Sequence, residues 1–287
     1  MDITVRPATA ADAEACGRVG YEGFRAVNER HGFPTNYPSV EAATRRVRAL
    51  IDHPQVWGVV AQAHGETVGF CFLSERDPIR AVGPMVVDPA VHMRGIGRRL
   101  MAAVLERARG TPSVRLLQET YNMQSLALYA SFGFEAKELL VVMTGTPTGS
   151  PMEGWEVRRL EERDLAGCTA LYERVHGFPR TNELRDTLAT GSPVAALRNE
   201  RVTAYMAVPT FWIANHGVAE TPADVQALLL GAKGIIEEPL SFLLPTRHAE
   251  LFRWCMAEGF RAIKPMSLMV IGEYQEPRGR YFPSVLY

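Results

Sequence analysis

The sequence predicts an α/β (mixed α+β) protein of two tandem units, each a mixed, mostly antiparallel central sheet flanked by helices. Three observations carry that prediction. A length of 287 residues is roughly twice the ~150 of a single domain. Apolar residues make up 47% and charged residues 22%, the balance of a chain that buries a core rather than one that stays disordered. Landmarks of the first half also return in the second. Val5-Arg6-Pro7, followed by an acid-rich helix, is matched 152 residues later by Val157-Arg158-Arg159, and Gly133-Phe134 is matched 126 residues later by Gly259-Phe260. A repeat of that length is a duplicated domain rather than a solenoid unit.

The elements follow in order. Ile3-Thr4-Val5 alternates as a strand, and Thr9 with Asp12 opens a helix that runs on through Cys16, Val19 and Gly20. Tyr21, Phe24, Asn28, His31 and Tyr37 fall on this helix and the loop after it. Val56 to Ala61 and Thr67 to Leu73 flank His64-Gly65-Glu66 as a hairpin, and Val194 to Leu197 and Val202 to Val208 flank Asn199-Glu200 in the same way. An apolar strand, Met85-Val86-Val87, stops at Asp88-Pro89; after the turn Met93-Arg94-Gly95-Ile96-Gly97-Arg98, helical spacing continues through Met101, Val104, Leu105 and Ala108. Asn122 is placed to cap a short helix that ends at Gly133. The run Thr144 to Pro151 holds no large apolar side chain, so residues 144–154 read as a linker between units 1–143 and 155–287. The tail from Gln275 to Tyr287 reads as a strap packed across a domain rather than an element of its own.

Composition narrows the function. Thirty-one Lys and Arg against thirty-two Asp and Glu leave a net charge of -1, which supplies no general field for nucleic acid or an anionic membrane. Cys16, Cys71, Cys168 and Cys255 lie far apart with no CxxC pair, as expected of buried thiols and not of a metal site. No leader pattern and no apolar run approaching ~18 residues is evident, so the expected compartment is the cytoplasm.

The glycine-bearing turn carries the chemistry. The first N–H groups of a helix lack internal acceptors and sit at the positive end of its dipole, and glycines let an anion approach them. The same glycines could simply tighten a strand-to-helix turn. A dinucleotide site is disfavoured because Leu100 stands where a third glycine belongs and because several elements precede the turn. In the second motif, Ser125 and Tyr129 share one helical face and Leu128 and Phe132 another; alone, that describes any amphipathic helix.

In combination, a turn of the form Q/R-x-x-G-x-G/A followed by N-x-x-S/A-x-x-L-Y-x-x-x-G-F resembles the paired signature of the GNAT superfamily of acyl-CoA-dependent N-acetyltransferases. The resemblance covers residues 3 to 143. It implies that Met85, Val86 and Val87 hold the pantetheine of acetyl-CoA, that Met93 to Arg98 cradle its pyrophosphate, and that Asn122 and Ser125 contact it. It further implies that Tyr129 stands by the thioester sulfur as general acid. His92 takes the usual Gln/Arg position, and the strand from Gly83 to Val87 lacks the carboxylate that some relatives carry there. Glu119, acting through a water, is the remaining candidate base. The expected reaction is direct attack by a primary amine, of a small molecule or a peptide, on acetyl-CoA, with no metal. A non-enzymatic acyl-CoA sensor is the alternative. In the second half Cys255 falls at the Tyr129 position and His248 at that of Asn122, and Ala214 to Pro222 has no Arg-Gly-x-Gly. That copy is therefore expected to be degenerate, with Cys255 a packing residue or, less in keeping with its setting, a nucleophile, and to cover the cleft or complete the acceptor pocket.

Overall fold

A computed structural model describes residues 3–91 and 95–286. The first half runs β1 (Ile3–Pro7), α1 (Ala13–Arg30), α2 (Val40–Ile51), β2 (Val56–Ala63), β3 (Glu66–Ser74), β4 (Arg80–Val87), α3 (Ile96–Arg107), β5 (Ser113–Glu119), α4 (Met123–Ser131) and β6 (Glu135–Gly145). The second runs β7 (Glu156–Arg159), α5 (Leu165–His176), α6 (Thr181–Thr190), β8 (Val194–Arg198), β9 (Arg201–Met206), β10 (Gly217–Ala219), α7 (Pro222–Ala232), β11 (Leu240–Pro245), α8 (Ala249–Ala257), β12 (Arg261–Gly272) and β13 (Arg280–Phe282).

Local chemistry is repeated at the predicted offsets. Arg6 forks onto Asp12 with bonds of 2.8 and 2.6 Å, while Asp12 closes a capping box with Thr9. Arg158 forks onto Asp164 with bonds of 2.7 and 2.9 Å, and Asp164 closes a capping box with Glu161. Each ion pair ties the first strand of its half to the helix that follows. Both predicted hairpins form, turning on His64-Gly65 (φ 52° and 82°) and Asn199-Glu200 (φ 51° and 63°), the positive pair that matches strand twist. Helix α4 ends in a Schellman motif, with Gly133 donating to the Ala130 carbonyl (3.0 Å) and Phe134 to that of Tyr129 (3.1 Å). Helix α8 ends alike through Gly259 to Met256 (3.2 Å) and Phe260 to Cys255 (3.0 Å).

The strands are not shared out between the halves as chain order would divide them. One eight-stranded sheet has the order β1-β2-β3-β4-β5-β12-β6-β11, and a five-stranded sheet has the order β13-β10-β9-β8-β7. β6, the last strand of the first half, thus pairs with β11 of the second half, β12 of the second half pairs with β5 of the first, and the two exchanged strands, β6 and β12, pair with each other. Two sequence expectations change. Thr144 and Gly145, placed in the linker, belong to β6 and pair with Ser241 and Leu240, because the edge of β11 supplies partners that composition does not reveal. The rest of that segment is not a free tether, since Thr148 and Gly149 bond to Glu258. The tail, expected to form no element, contributes β13, which pairs with β10.

Strand β4 is parallel to β5 only from Arg80 to Val82, opposite Val114 to Leu116. Beyond Val82 the two part, and Gly83 and Pro84 stand together opposite Phe72 as a bulge. Gly83, at φ +147°, takes a backbone that other residues avoid. The result is a V-shaped gap between neighbouring strands. All four cysteines are buried and free, and no helix among the described residues is long and apolar enough to cross a membrane.

Candidate active site

The gap between β4 and β5 opens into a cleft of about 690 Å³. The β4 wall is Gly83 to Val87, and alternation orients its backbone. Asp88 donates its N–H to the Val68 carbonyl of β3 (2.9 Å), so the Met85 N–H, three residues earlier in the same strand, turns toward the gap. At one end lies the start of α3, where Gly95 caps the helix at φ 76°. A Cβ on Gly97 would stand 3.2 Å from the Leu128 side chain of α4, so the glycine is what lets the start of α3 approach the second turn of α4. Arg98 lines the cleft and donates to Ser131 (3.0 Å). Arg99 turns away to the Ile3 carbonyl (2.7 Å). His92, Met93 and Arg94 lie outside the described residues, so the pyrophosphate role expected of Met93 and Arg94 receives no structural account.

Across the gap, Asn122 caps α4 by accepting from the Ser125 N–H (3.2 Å). That places Ser125 and Tyr129 on the wall facing the Met85 to Val87 strand, and all of them line the cleft together with Glu119. Tyr129 is 7% exposed. Burial pushes its phenol well above the ordinary range, with the Ser125 hydroxyl pulling weakly the other way.

Glu119 ends β5 and is 6% exposed. It accepts from Lys264 Nζ at 2.7 Å and from Asn28 Nδ2 at 3.1 Å. Asn28 in turn accepts from the Tyr121 hydroxyl (2.6 Å) and from Lys264 (3.0 Å), and Lys264 also donates to Asn36. Lys264 comes from the exchanged strand β12, and its burial pulls the ammonium pKa down while Glu119 holds it up. Of the residues noted on the first helix and the loop after it, Phe24, His31 and Tyr37 line the cleft, Asn28 joins this network, and Tyr21 packs instead in the apolar cluster of Tyr37 and Ile213. The second half supplies Trp212, Ile213, Met266, Val285 and Leu286 to the same cleft. None of these five, nor Lys264, was legible as a site residue. The available signal was one charge, Lys264, inside a mainly apolar strand that opens on Arg261.

In the second half a smaller pocket of about 450 Å³ remains by the α7 start, lined by Pro222 and His248, but the position equivalent to Tyr129 is closed. Cys255 is fully buried in a core cluster and its thiol is pushed up to about 12 by burial; it behaves as a packing residue. Helix α7 starts with a Thr221 and Asp224 capping box and Pro222, with no glycine.

A helix start reached through glycines, opening on an apolar slot between splayed strands with a phenol at its far wall, suits a long ligand with an anionic head and a thioester tail. These are the features of an acyltransferase that uses a coenzyme A thioester. Residues 24–134 match the family model described as the Acetyltransferase (GNAT) family. A span of 140 residues is 35% identical to the N-alpha-acetyltransferase RimI of Mycobacterium tuberculosis, covering 46% of this chain and 78% of that one. Two solved structures match over nearly the whole chain. One is a Pyrococcus horikoshii protein, itself assigned only provisionally as an acetyltransferase, with a TM-score of 0.78 and 18% identity over 99% of this chain and 94% of the other. The other is a tandem GNAT protein from the clavulanic acid biosynthesis pathway, with a TM-score of 0.60 and 13% identity over 96% of this chain and all of the other (100%). The chain belongs to the GNAT acetyltransferase family and is an acyltransferase of the N-acetyl type, whose family uses acetyl-CoA.

Proposed function

We propose that the unit of residues 1–143 transfers an acetyl group from acetyl-CoA to a primary amine bound in the cleft between β4 and β5, and that residues 155–287 are a degenerate copy that completes the acceptor side. The observation that carries this reading is the single cleft that runs from the α3 start to Tyr129 and on to the residues of the second half. The slot fits the pantetheine arm: its β4 wall runs on past Val82 without β5 beside it, with the Met85 N–H turned into the gap, and a side chain at Gly97 would crowd Leu128 in the helix cradle. Met85, Val86 and Val87 would hold that arm, with Gly95, Ile96, Gly97 and Arg98 at the pyrophosphate and Asn122 and Ser125 alongside.

When bound, acetyl-CoA supplies an activated acyl group. The protein's part is to hold an amine next to it, to offer a β4 N–H to the developing oxyanion, and to move two protons. An alkylamine, with a pKa near ~10.4, must shed one before it attacks. Glu119, held by Lys264 and Asn28, receives it through a water. Tyr129 gives the other to the departing sulfur. Its raised phenol is a weaker acid than usual, but the same dry wall disfavours a bare thiolate, so the two shift together.

The test is a transfer assay with acetyl-CoA and a panel of primary amines, reading thiol release and acetylation of the amine by mass. Transfer that requires Tyr129 supports the reading. Thiol release without any acetylated amine, or full activity in Tyr129→Phe, overturns it.

A further inference from the structure

Arg46 of α2 lines the cleft, yet no carboxylate or carbonyl among the described residues accepts a bond from it, and its Nε is shut off from water with no partner. A guanidinium half-sunk in protein without a counter-charge is destabilising unless something else supplies that charge. The charged and titratable groups that act on it are Tyr37, Arg76 and Glu183. Glu183 is already held by Arg180 (2.6 Å) and Arg76 (3.3 Å), and Tyr37 stays neutral because its burial raises the phenol pKa. The other charged pair by the cleft, Glu119 with Lys264, is closed on itself at 2.7 Å.

The location of Arg46 separates it from the coenzyme's anionic head. Its neighbour Arg76 follows β3, whose last residue Ser74 pairs with Ala81 at the start of β4, whereas the α3 turn follows Val87 at the opposite end. Gln118 makes a second, independent observation: it is 4% exposed, lines the cleft, and has neither its amide oxygen nor its amide nitrogen hydrogen-bonded. The same cleft is lined on its apolar side by Phe24, Trp212, Ile213 and Val285.

We propose that the acceptor is a small amine that carries a carboxylate, an amino acid with an apolar body, whose carboxylate is received by the Arg46 guanidinium with Gln118 as a neutral hydrogen-bonding partner. Arg46 then sets substrate class, because the fork of a guanidinium matches a carboxylate in two parallel bonds. This inference rests on the acetyltransferase reading above and deepens it.

The test compares kcat/KM for matched pairs of acceptors that differ only in the acid group: leucine and 3-methylbutylamine, phenylalanine and 2-phenylethylamine, 6-aminohexanoate and pentylamine. At least one acid is expected to exceed its decarboxylated partner by about 10²-fold, the discrimination of a charge-assisted pair over an unpaired buried charge. Arg46→Met is expected to collapse that ratio to near unity while acetyl-CoA affinity, measured by calorimetry, is kept. Arg46→Lys restores part of the ratio and guards against a folding defect, and the wild-type ratio needs no variant at all. Equal rates within every pair, a preference for the plain amines, transfer only to peptide N-termini, or an undiminished ratio in Arg46→Met would each overturn the proposal while leaving the transferase standing. Failure of acetyl-CoA to bind, or of every amine to react, would bring down the transferase reading and this inference with it.

Discussion

Two gaps in the same molecule meet different fates. In the first half, β4 and β5 part beyond Val82 and leave an open cleft. In the second, the space between β10 and β11 is closed by β13, which pairs with β10 and sends Phe282 against Phe242 of β11 with ring centroids 4.6 Å apart. Around the open gap stand Gly95, Gly97, Asn122 and Tyr129; around the closed one stand Pro222, His248 and Cys255. The capping boxes, ion pairs and helix ends are alike in both. The scaffold therefore survives without a slot between its strands, only a smaller pocket remaining by Pro222 and His248, and what separates a site from a core is a handful of side chains and a three-residue strand.

That contrast can be broken at its two aligned helices. Tyr129→Phe is expected to lower kcat by about 10²- to 10⁴-fold, the range for a lost general acid, while Cys255→Ala in the second half leaves turnover within about twofold. Steady-state kinetics on both variants checks this, and a comparable loss in Cys255→Ala would place chemistry in the wrong half.

The plug is the next test. Phe282 is 2% exposed among Phe242 and Phe260, so Phe282→Ala should cost about 3–5 kcal/mol in urea unfolding. A loss below about 1 kcal/mol would mean that β13 is ornamental rather than the closure of the second gap.

Acid should act on the halves in different windows. In the second half, burial pulls His216 from 6.5 down to about 3. The unfolded chain then takes up a proton that the folded one refuses, and stability falls as pH drops from about 6.5 toward 3. In the first half, the Arg6 fork holds Asp12 down to about 2 from an ordinary 3.8. Its contribution is full above about 4 and is lost only as pH falls toward 2. Urea midpoints against pH should lose slope between pH 6.5 and 4 in His216→Phe and only below about 4 in Asp12→Asn.

The smallest expected effect compares glycines of matching helices. Gly97→Ala in α3 presses on a movable Leu128 methyl at 3.2 Å and should weaken acetyl-CoA binding by about two- to fivefold. Gly231→Ala in α7 drives into Val157 at 2.4 Å and should cost about 1–3 kcal/mol of stability without touching that binding.

Much of this was legible along the chain because it is local. The paired hairpins, the Asn122 cap, the Gly133 stop and the glycine turn are set by residues within a few positions of each other. The offsets of the repeat located Cys255 opposite Tyr129 before any contact was known. What the sequence hid is long-range pairing. Nothing in Arg261 to Gly272 says that this strand will lie between β5 and β6, and so nothing announced Lys264 beside Glu119, separated by 145 positions. Arg46 was hidden for a related reason: on α2 it is one more arginine on an amphipathic helix, and only the missing partner in the folded chain singles it out. The linker ran long at its start because Thr144 and Gly145 have loop composition but find β11.

The central claim is one working cleft per chain, and calorimetric titration of the full-length protein with acetyl-CoA tests it most directly. The account predicts a stoichiometry of one, with the site weakened by Gly97→Ala and untouched by Cys255→Ala. Two sites per chain, or a single site indifferent to Gly97, would contradict it.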